Sequence, residues 1–197
     1  MTPRQKEKIK NKIKKFKDAL SADKRHWGGQ WHDGGGLRYA QPELYLQLHD
    51  YVGALKYFMW FDKNFPDDSC HPIFLFEWTV TLFKTADIKG AEKKALLTFF
   101  SNTYIFDKFL GKEFLHLDKY ENSNWECASL TEDFPYSKDQ PELLNFVDWL
   151  SQFLTSDKFF KIANEFIEIE RKLKTEPIGQ TRTALVNRLY SLLDNYS

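Results

Sequence analysis

His26, His32, Asp33 and His49 are the residues of this 197-residue chain whose types and spacing come nearest to a reaction centre. Imidazole and carboxylate groups together can hold a divalent cation and lower the pKa of its bound water, the chemistry of metal-dependent hydrolysis. Three of the four lie in HWGGQWHDGGGLRY, residues 26–39, which also holds five of the nine glycines and two of the six tryptophans. Other reactive side chains are more isolated. Cys70 and His71 adjoin each other but lack a second ligand pair at any zinc spacing. Cys127 has no nearby histidine or helix-start signal to make its thiol a nucleophile. GGQWHDGGG contains neither the lysine of a phosphate loop nor the alternating glycines of a dinucleotide fingerprint, and no strand precedes it.

The His32–Asp33 doublet resembles that of all-α metal phosphohydrolases, with two departures. The upstream histidine is six residues away rather than tens, and glycines follow the doublet where a helix belongs. The expectation is therefore a chain that is not an enzyme and needs no metal or cofactor, with metal-dependent hydrolysis at this loop as an alternative. Five glycines in nine residues would cost a helix roughly 1 kcal/mol each, so residues 26–39 must form a joint. Trp27, Trp31 and Tyr39 would anchor it by folding back onto the following hairpin. Alternatively Trp27, Trp31, Arg38 and Tyr39 face outwards and touch a partner, since Trp, Tyr and Arg dominate binding hot spots.

The joint must be positioned by what flanks it. Residues 1–25 carry ten basic residues against three acidic ones, whereas from Glu113 to Glu170 thirteen carboxylates face four lysines. Ile9, Ile13, Phe16 and Leu20 recur at helical steps, so residues 1–25 form a basic amphipathic helix. Its lysines could meet an acidic partner or, as a further alternative, the phosphates of a nucleic acid. No apolar run reaches membrane-spanning length. With two cysteines and no apolar signal core in MTPRQKEKIKNKIKKFK, the cytoplasm is the expected compartment.

Downstream, PELYLQLHDYVGALKYFMWFDKNFP reads as two helices, the first opened by Pro42, with a turn at His49 and Asp50 and a stop at Pro66. The device then repeats. DYVGA at residues 50–54 returns as DIKGA at 87–91, an offset of 37. In each copy Asp50 or Asp87 can cap the second helix, while Gly53 with Ala54, and Gly90 with Ala91, let two helices approach closely.

At these residues the chain resembles the tetratricopeptide repeat family. Ala54 and Ala91 match its small residue opening the second helix, Phe58 and Ala95 its following apolar position, and Pro66 its closing proline. The resemblance spans about residues 40–110 and implies antiparallel helical hairpins stacked as an α-α superhelix whose inner face binds peptides or proteins. The spacing of 37 exceeds the family's 34, and copy two has no closing proline. Positions on the first helices then nominate Tyr45, Gln47, Trp78, Thr81 and Lys84 as binding residues. Most of the row Tyr45, Tyr57, Trp60, Trp78 and Tyr104 is expected in the core.

Residues 111–197 continue as helices of the same array. FLGKEFLHLDKY reads as a further first helix, and NSNWECASLTEDF as a short one capped by Asn122 or Ser123. Three more follow over 141–154, 156–174 and 181–195. The fold class is all-α with about eight helices, and the expected role is noncatalytic binding of a protein or peptide partner, with no membrane span.

Overall fold

The helical periodicities carry through to the structure, a computed structural model that describes residues 1–121 and 123–194. Nine α-helices and three short 3-10 turns are present among the described residues, with no strand, so the fold is all-α. No described helix is long and apolar enough to cross a membrane. The chain divides into two compact units, Met1–Cys70 and His71–Ser197. The division falls between the two copies of the repeat, placing one hairpin in each unit.

In the first unit α1 spans Pro3–His26. Its N-terminus is closed by a reciprocal box: the Gln5 N–H donates to Thr2 Oγ1 and the Thr2 N–H to Gln5 Oε1, satisfying two donors that a helix start leaves open. Ile13 and Leu20 are buried, Ile9 and Phe16 half-buried, and Lys6, Lys8, Lys10 and Lys14 lie in solvent, as the amphipathic pattern requires. Gly28, Gly29 and Gly36 adopt positive φ, which explains glycine where the chain leaves α1 and turns. A 3-10 turn, Leu37–Tyr39, then leads into α2, Gln41–Gln47, with Pro42 in its first turn. The next helix, α3, spans Tyr51–Asn64 and ends just before Pro66.

The second unit holds α4 (Pro72–Lys84), α5 (Ile88–Ser101) and α6 (Ile105–Leu110). After a long loop come α7 (Leu144–Leu154), α8 (Asp157–Leu173) and α9 (Gln180–Ser191). Phe76 of α4 is fully buried at the centre of an aromatic cluster, with ring centres of Phe134 at 4.9 Å, Phe109 at 5.0 Å and Tyr136 at 5.3 Å. Phe166, Ile169, Leu173 and Leu192 form a further core patch where α8 and α9 meet, and Phe100 of α5 stacks on Phe166 at 4.4 Å.

The helix expected over FLGKEFLHLDKY is a correction. The helix α6 stops at Leu110 because Gly111 turns left-handed (φ 64°) and the Lys112 N–H closes back onto the Asp107 carbonyl at 2.9 Å. Over the described residues of NSNWECASLTEDF, 123–134, helical structure is a single 3-10 turn, Ala128–Thr131. The buried Asn102 amide instead donates to the carbonyls of Trp125 (2.6 Å) and Cys127 (3.0 Å), fastening that turn-rich loop to the end of α5. Asn122, one of the two expected caps, and Asn195, the expected end of the last helix, lie outside the described residues.

The two hairpin corners repeat atom for atom. Each first helix ends in a Schellman closure with a non-glycine residue in left-handed conformation, His49 (φ 55°) or Ala86 (φ 65°). The Asp50 N–H reaches the Tyr45 carbonyl and the Asp87 N–H the Leu82 carbonyl, both at 3.0 Å. Each aspartate then caps the following helix through the N–H of Gly53 or Gly90. A methyl group on Gly53 or Gly90 would stand 2.3 or 2.4 Å from Oδ2, the carboxylate oxygen beside the capping Oδ1, so a side chain there must displace the cap. Ala54 and Ala91 are fully buried one residue later.

Candidate functional site

The Met1–Cys70 unit contains a pocket of about 510 Å³ walled by α1, α2, the Asp50 corner and α3, a size suited to one small ligand or one side chain with its backbone. Four aromatic residues line it: Trp31 from the joint, Tyr45 from α2, and Tyr57 and Trp60 from α3. Trp31 meets Trp60 edge to face at 5.3 Å, and Tyr57 lies 5.3 Å from Trp60. Lys17 of α1 and Lys56 of α3 add positive charge to the walls. An adjoining hollow shares Ser21 and Trp31 and adds Lys24 and Arg25.

One wall residue is anomalous. Gln41 is fully buried, yet its Oε1 has no hydrogen-bond partner. The orientation of the amide follows from its neighbours. Tyr57 O–H donates to the Arg38 carbonyl at 2.7 Å, so the phenol oxygen can only accept from Gln41, which donates through Nε2 at 3.1 Å. Burial, then the charge of Asp33, pushes the Tyr57 phenol well above its ordinary range and keeps it a donor. A buried acceptor without a donor costs roughly 1–3 kcal/mol, so an amide left in this state needs a reason.

Behind the pocket the joint is held by a carboxylate–guanidinium knot. Asp33 is buried and accepts from the Leu37 N–H (2.9 Å), the Arg38 N–H (3.0 Å) and Arg38 Nη1 (2.9 Å). Arg38 Nε reaches Asp68 at 2.9 Å, and the Tyr39 hydroxyl donates to the other Asp68 oxygen at 2.5 Å. Burial opposes the Arg38 charge, but the bonds to Asp33 and Asp68 outweigh it and hold the guanidinium more firmly protonated than usual. Asp23 of α1 in turn accepts the N–H groups of His32 and Asp33 at 3.1 and 3.0 Å. The carboxylate of the His32–Asp33 doublet is thus occupied in shaping the turn, and among the described residues no group of three or more His, Cys, Asp or Glu is placed to hold a metal ion.

The nominated residues fall into distinct places. Trp31 and Tyr45 come together in the pocket. Trp27 is 48% exposed and stacks on the His32 ring at 4.6 Å rather than on the hairpin. Arg38 and Tyr39 belong to the knot. Gln47 is exposed and donates to Glu43 at 2.8 Å. In the His71–Ser197 unit Trp78 is buried with Lys94 Nζ 3.4 Å from its ring, Thr81 donates to the Glu77 carbonyl, and Lys84 bonds to the Glu142 carbonyl and the Asn145 side chain. Asp50, Gly53 and Ala54 and their partners Asp87, Gly90 and Ala91 occupy the matching corners.

Comparison with protein-family models, with curated proteins and with solved structures gives no match. The site must be read from its own chemistry. Lys17, Gln41 and Lys56 were not legible as site residues, because each is an ordinary residue of an amphipathic helix until α1, α2 and α3 bring them to one cavity. Tyr57 and Trp60 carried the aromatic signal, but helical spacing alone does not separate a core ring from a pocket wall.

The other unit holds a cluster of ionisable groups that satisfy one another. Lys119, with its side chain 3% exposed, pairs with Glu121 at 3.0 Å. The Tyr104 hydroxyl donates to the same carboxylate at 2.8 Å. Burial, reinforced by that bond, pushes the Tyr104 phenol up to about 12.

Proposed function

We propose that this chain is a noncatalytic recognition protein, built on divergent tetratricopeptide-like hairpins, that binds a protein or peptide partner through the pocketed face of the Met1–Cys70 unit. The observation that carries the reading is the aromatic, lysine-flanked pocket with its unpaired buried acceptor. Largely apolar walls with a few placed polar groups are the usual make-up of a binding cleft. The duplicated corner, with the same aspartate cap, a non-glycine left-handed residue at the matching position and the same buried alanine, supports the kinship of the two hairpins.

The test is affinity capture with the full chain beside a Lys17→Glu/Lys56→Glu double variant. Both side chains are exposed, so the variant keeps the fold. A protein partner retained by the parent and lost by the variant supports the reading, and identical captures from both overturn it.

A second reading, nucleic-acid association, draws on the solvent-facing lysines of α1. It requires affinity for DNA or RNA that falls steeply with salt and disappears on deleting residues 1–20.

A further inference from the structure

We propose that the pocket between α1, α2 and α3 is the anchor site for an acidic polypeptide segment, which inserts one tyrosine or tryptophan side chain so that its O–H or N–H donates to Gln41 Oε1. The inference rests on the recognition reading above and names the chemistry of the partner.

Gln41 selects the inserted group. Its Nε2 is committed to Tyr57 and its Oε1 accepts nothing from the chain. An aliphatic side chain or phenylalanine would fill the pocket but leave that oxygen buried and unpaired. Tyrosine and tryptophan carry a flat apolar body to set among Tyr45, Tyr57 and Trp60 and one donor at its edge. Cationic ligands are disfavoured, although aromatic walls commonly attract them. The protein's own lysines already stand over these rings, Lys24 Nζ 4.4 Å from the Trp31 centre and Lys17 Nζ 5.5 Å from the Tyr45 centre.

Charge selects the flanks. Lys17 and Lys24 are two helical turns apart on α1, roughly 10 Å at 1.5 Å per residue, with Lys56 on the opposite helix. Charges that far apart suit carboxylates about three residues apart on an extended chain, at roughly 3.3–3.6 Å per residue, rather than one compact phosphate. The walls also present acceptors, the Gln41 carbonyl and the Asp50 carboxylate. A polypeptide backbone brings N–H donors to such walls, whereas a phosphodiester backbone brings further anions.

The experiment is fluorescence anisotropy on the full chain with fluorescein-labelled nine-residue peptides of Asp and Glu around one central aromatic residue. Tyrosine and tryptophan peptides are expected to bind about tenfold tighter than the phenylalanine peptide, the scale of one hydrogen bond to a buried acceptor. Gln41→Met should abolish that difference while leaving the phenylalanine peptide's affinity unchanged, a result that a misfolded variant could not produce. Lys56→Glu should weaken all three. Equal binding of the tyrosine and phenylalanine peptides to the parent chain overturns the proposal, as does tighter binding of a lysine-flanked peptide or of a single-stranded oligonucleotide. Partner capture that is sensitive to Lys17→Glu/Lys56→Glu, together with no binding of the acidic tyrosine peptide, leaves the recognition reading standing and overturns this inference.

Discussion

Asp50 and Asp87, 37 residues apart, each join the end of one helix to the start of the next using all three of their polar groups. The backbone N–H closes the preceding helix, the carboxylate accepts from Gly53 (2.9 Å) or Gly90 (3.0 Å), and the carbonyl accepts from Ala54 or Ala91, both at 2.9 Å. The glycine is needed only because the capping carboxylate occupies the space of its methyl group. A double-mutant cycle follows. Asp87→Ala should cost about 1 kcal/mol as a lost cap. Gly90→Ala should be close to neutral in the parent, where gained helix propensity offsets the displaced cap. In the Asp87→Ala background it should stabilise by about 0.5–1 kcal/mol, since only the propensity gain remains. Urea titration of the four proteins reads the coupling, and additive effects would show that the cap and the glycine are unrelated. Gly53→Ala should be worse than Gly90→Ala, because its methyl would also stand 2.8 Å from the Tyr45 ring.

Trp31 and Trp27 separate in the same assay. Trp31 is half-buried, donates to Asn64 at 3.3 Å and touches Trp60, Phe65 and Lys24, so it ties α1 to the end of α3. Trp31→Ala should cost about 2–3 kcal/mol. The exposed Trp27, stacked on His32 and edge-on to His26, should cost less than about 1 kcal/mol on truncation. Equal losses would mean that the joint is not pinned at Trp31.

The amphipathic stripe of α1 and the Asp-x-x-Gly-Ala corners were legible because each rests on local chemistry, helical spacing in one case and a cap with its steric consequence in the other. The left-handed residues at the corners were not, because His49 and Ala86 occupy positions that usually announce themselves as glycine. The stop of α6 was written at Gly111, but the apolar steps of Leu110, Phe114 and Leu117 continue across it and read as one helix. The division after Cys70 left no compositional mark. The pocket was half legible: its rings stood out by type, whereas Lys17, Gln41 and Lys56 acquire meaning only from three helices meeting.

Gln41→Met should leave the fold intact. The change loses one hydrogen bond to Tyr57, worth about 1 kcal/mol, and removes an unpaired buried acceptor that costs about 1–3 kcal/mol. Stability should therefore hold or rise by up to about 2 kcal/mol, with thermal and urea midpoints as the measure. A residue kept for binding at the expense of stability behaves this way. A loss above about 2 kcal/mol would instead make Gln41 a structural amide.

His71 gives the fold a dependence on pH of known sign. It caps α4 by accepting the Ile73 N–H at Nδ1 (3.3 Å), and burial holds its imidazole below the ordinary histidine pKa. In the range just below about 6.5, the unfolded chain takes up a proton that the folded chain refuses. The contribution is therefore complete above that pH and is lost as pH falls toward the lowered folded value, with a slope of at most about 1.4 kcal/mol per pH unit for one proton. Protonation at Nδ1 also removes the capping acceptor. Glu170 acts in the opposite sense, because burial, then the charge of Glu126, raises its carboxyl pKa. Its contribution is present at low pH and is lost as pH rises through that raised value. The informative measurement is therefore the difference between parent and His71→Asn, which retains an N-cap acceptor but cannot titrate. Urea midpoints from pH 5 to 8 should converge at the acid end and separate in favour of the parent as pH rises, and parallel curves would remove His71 as the source.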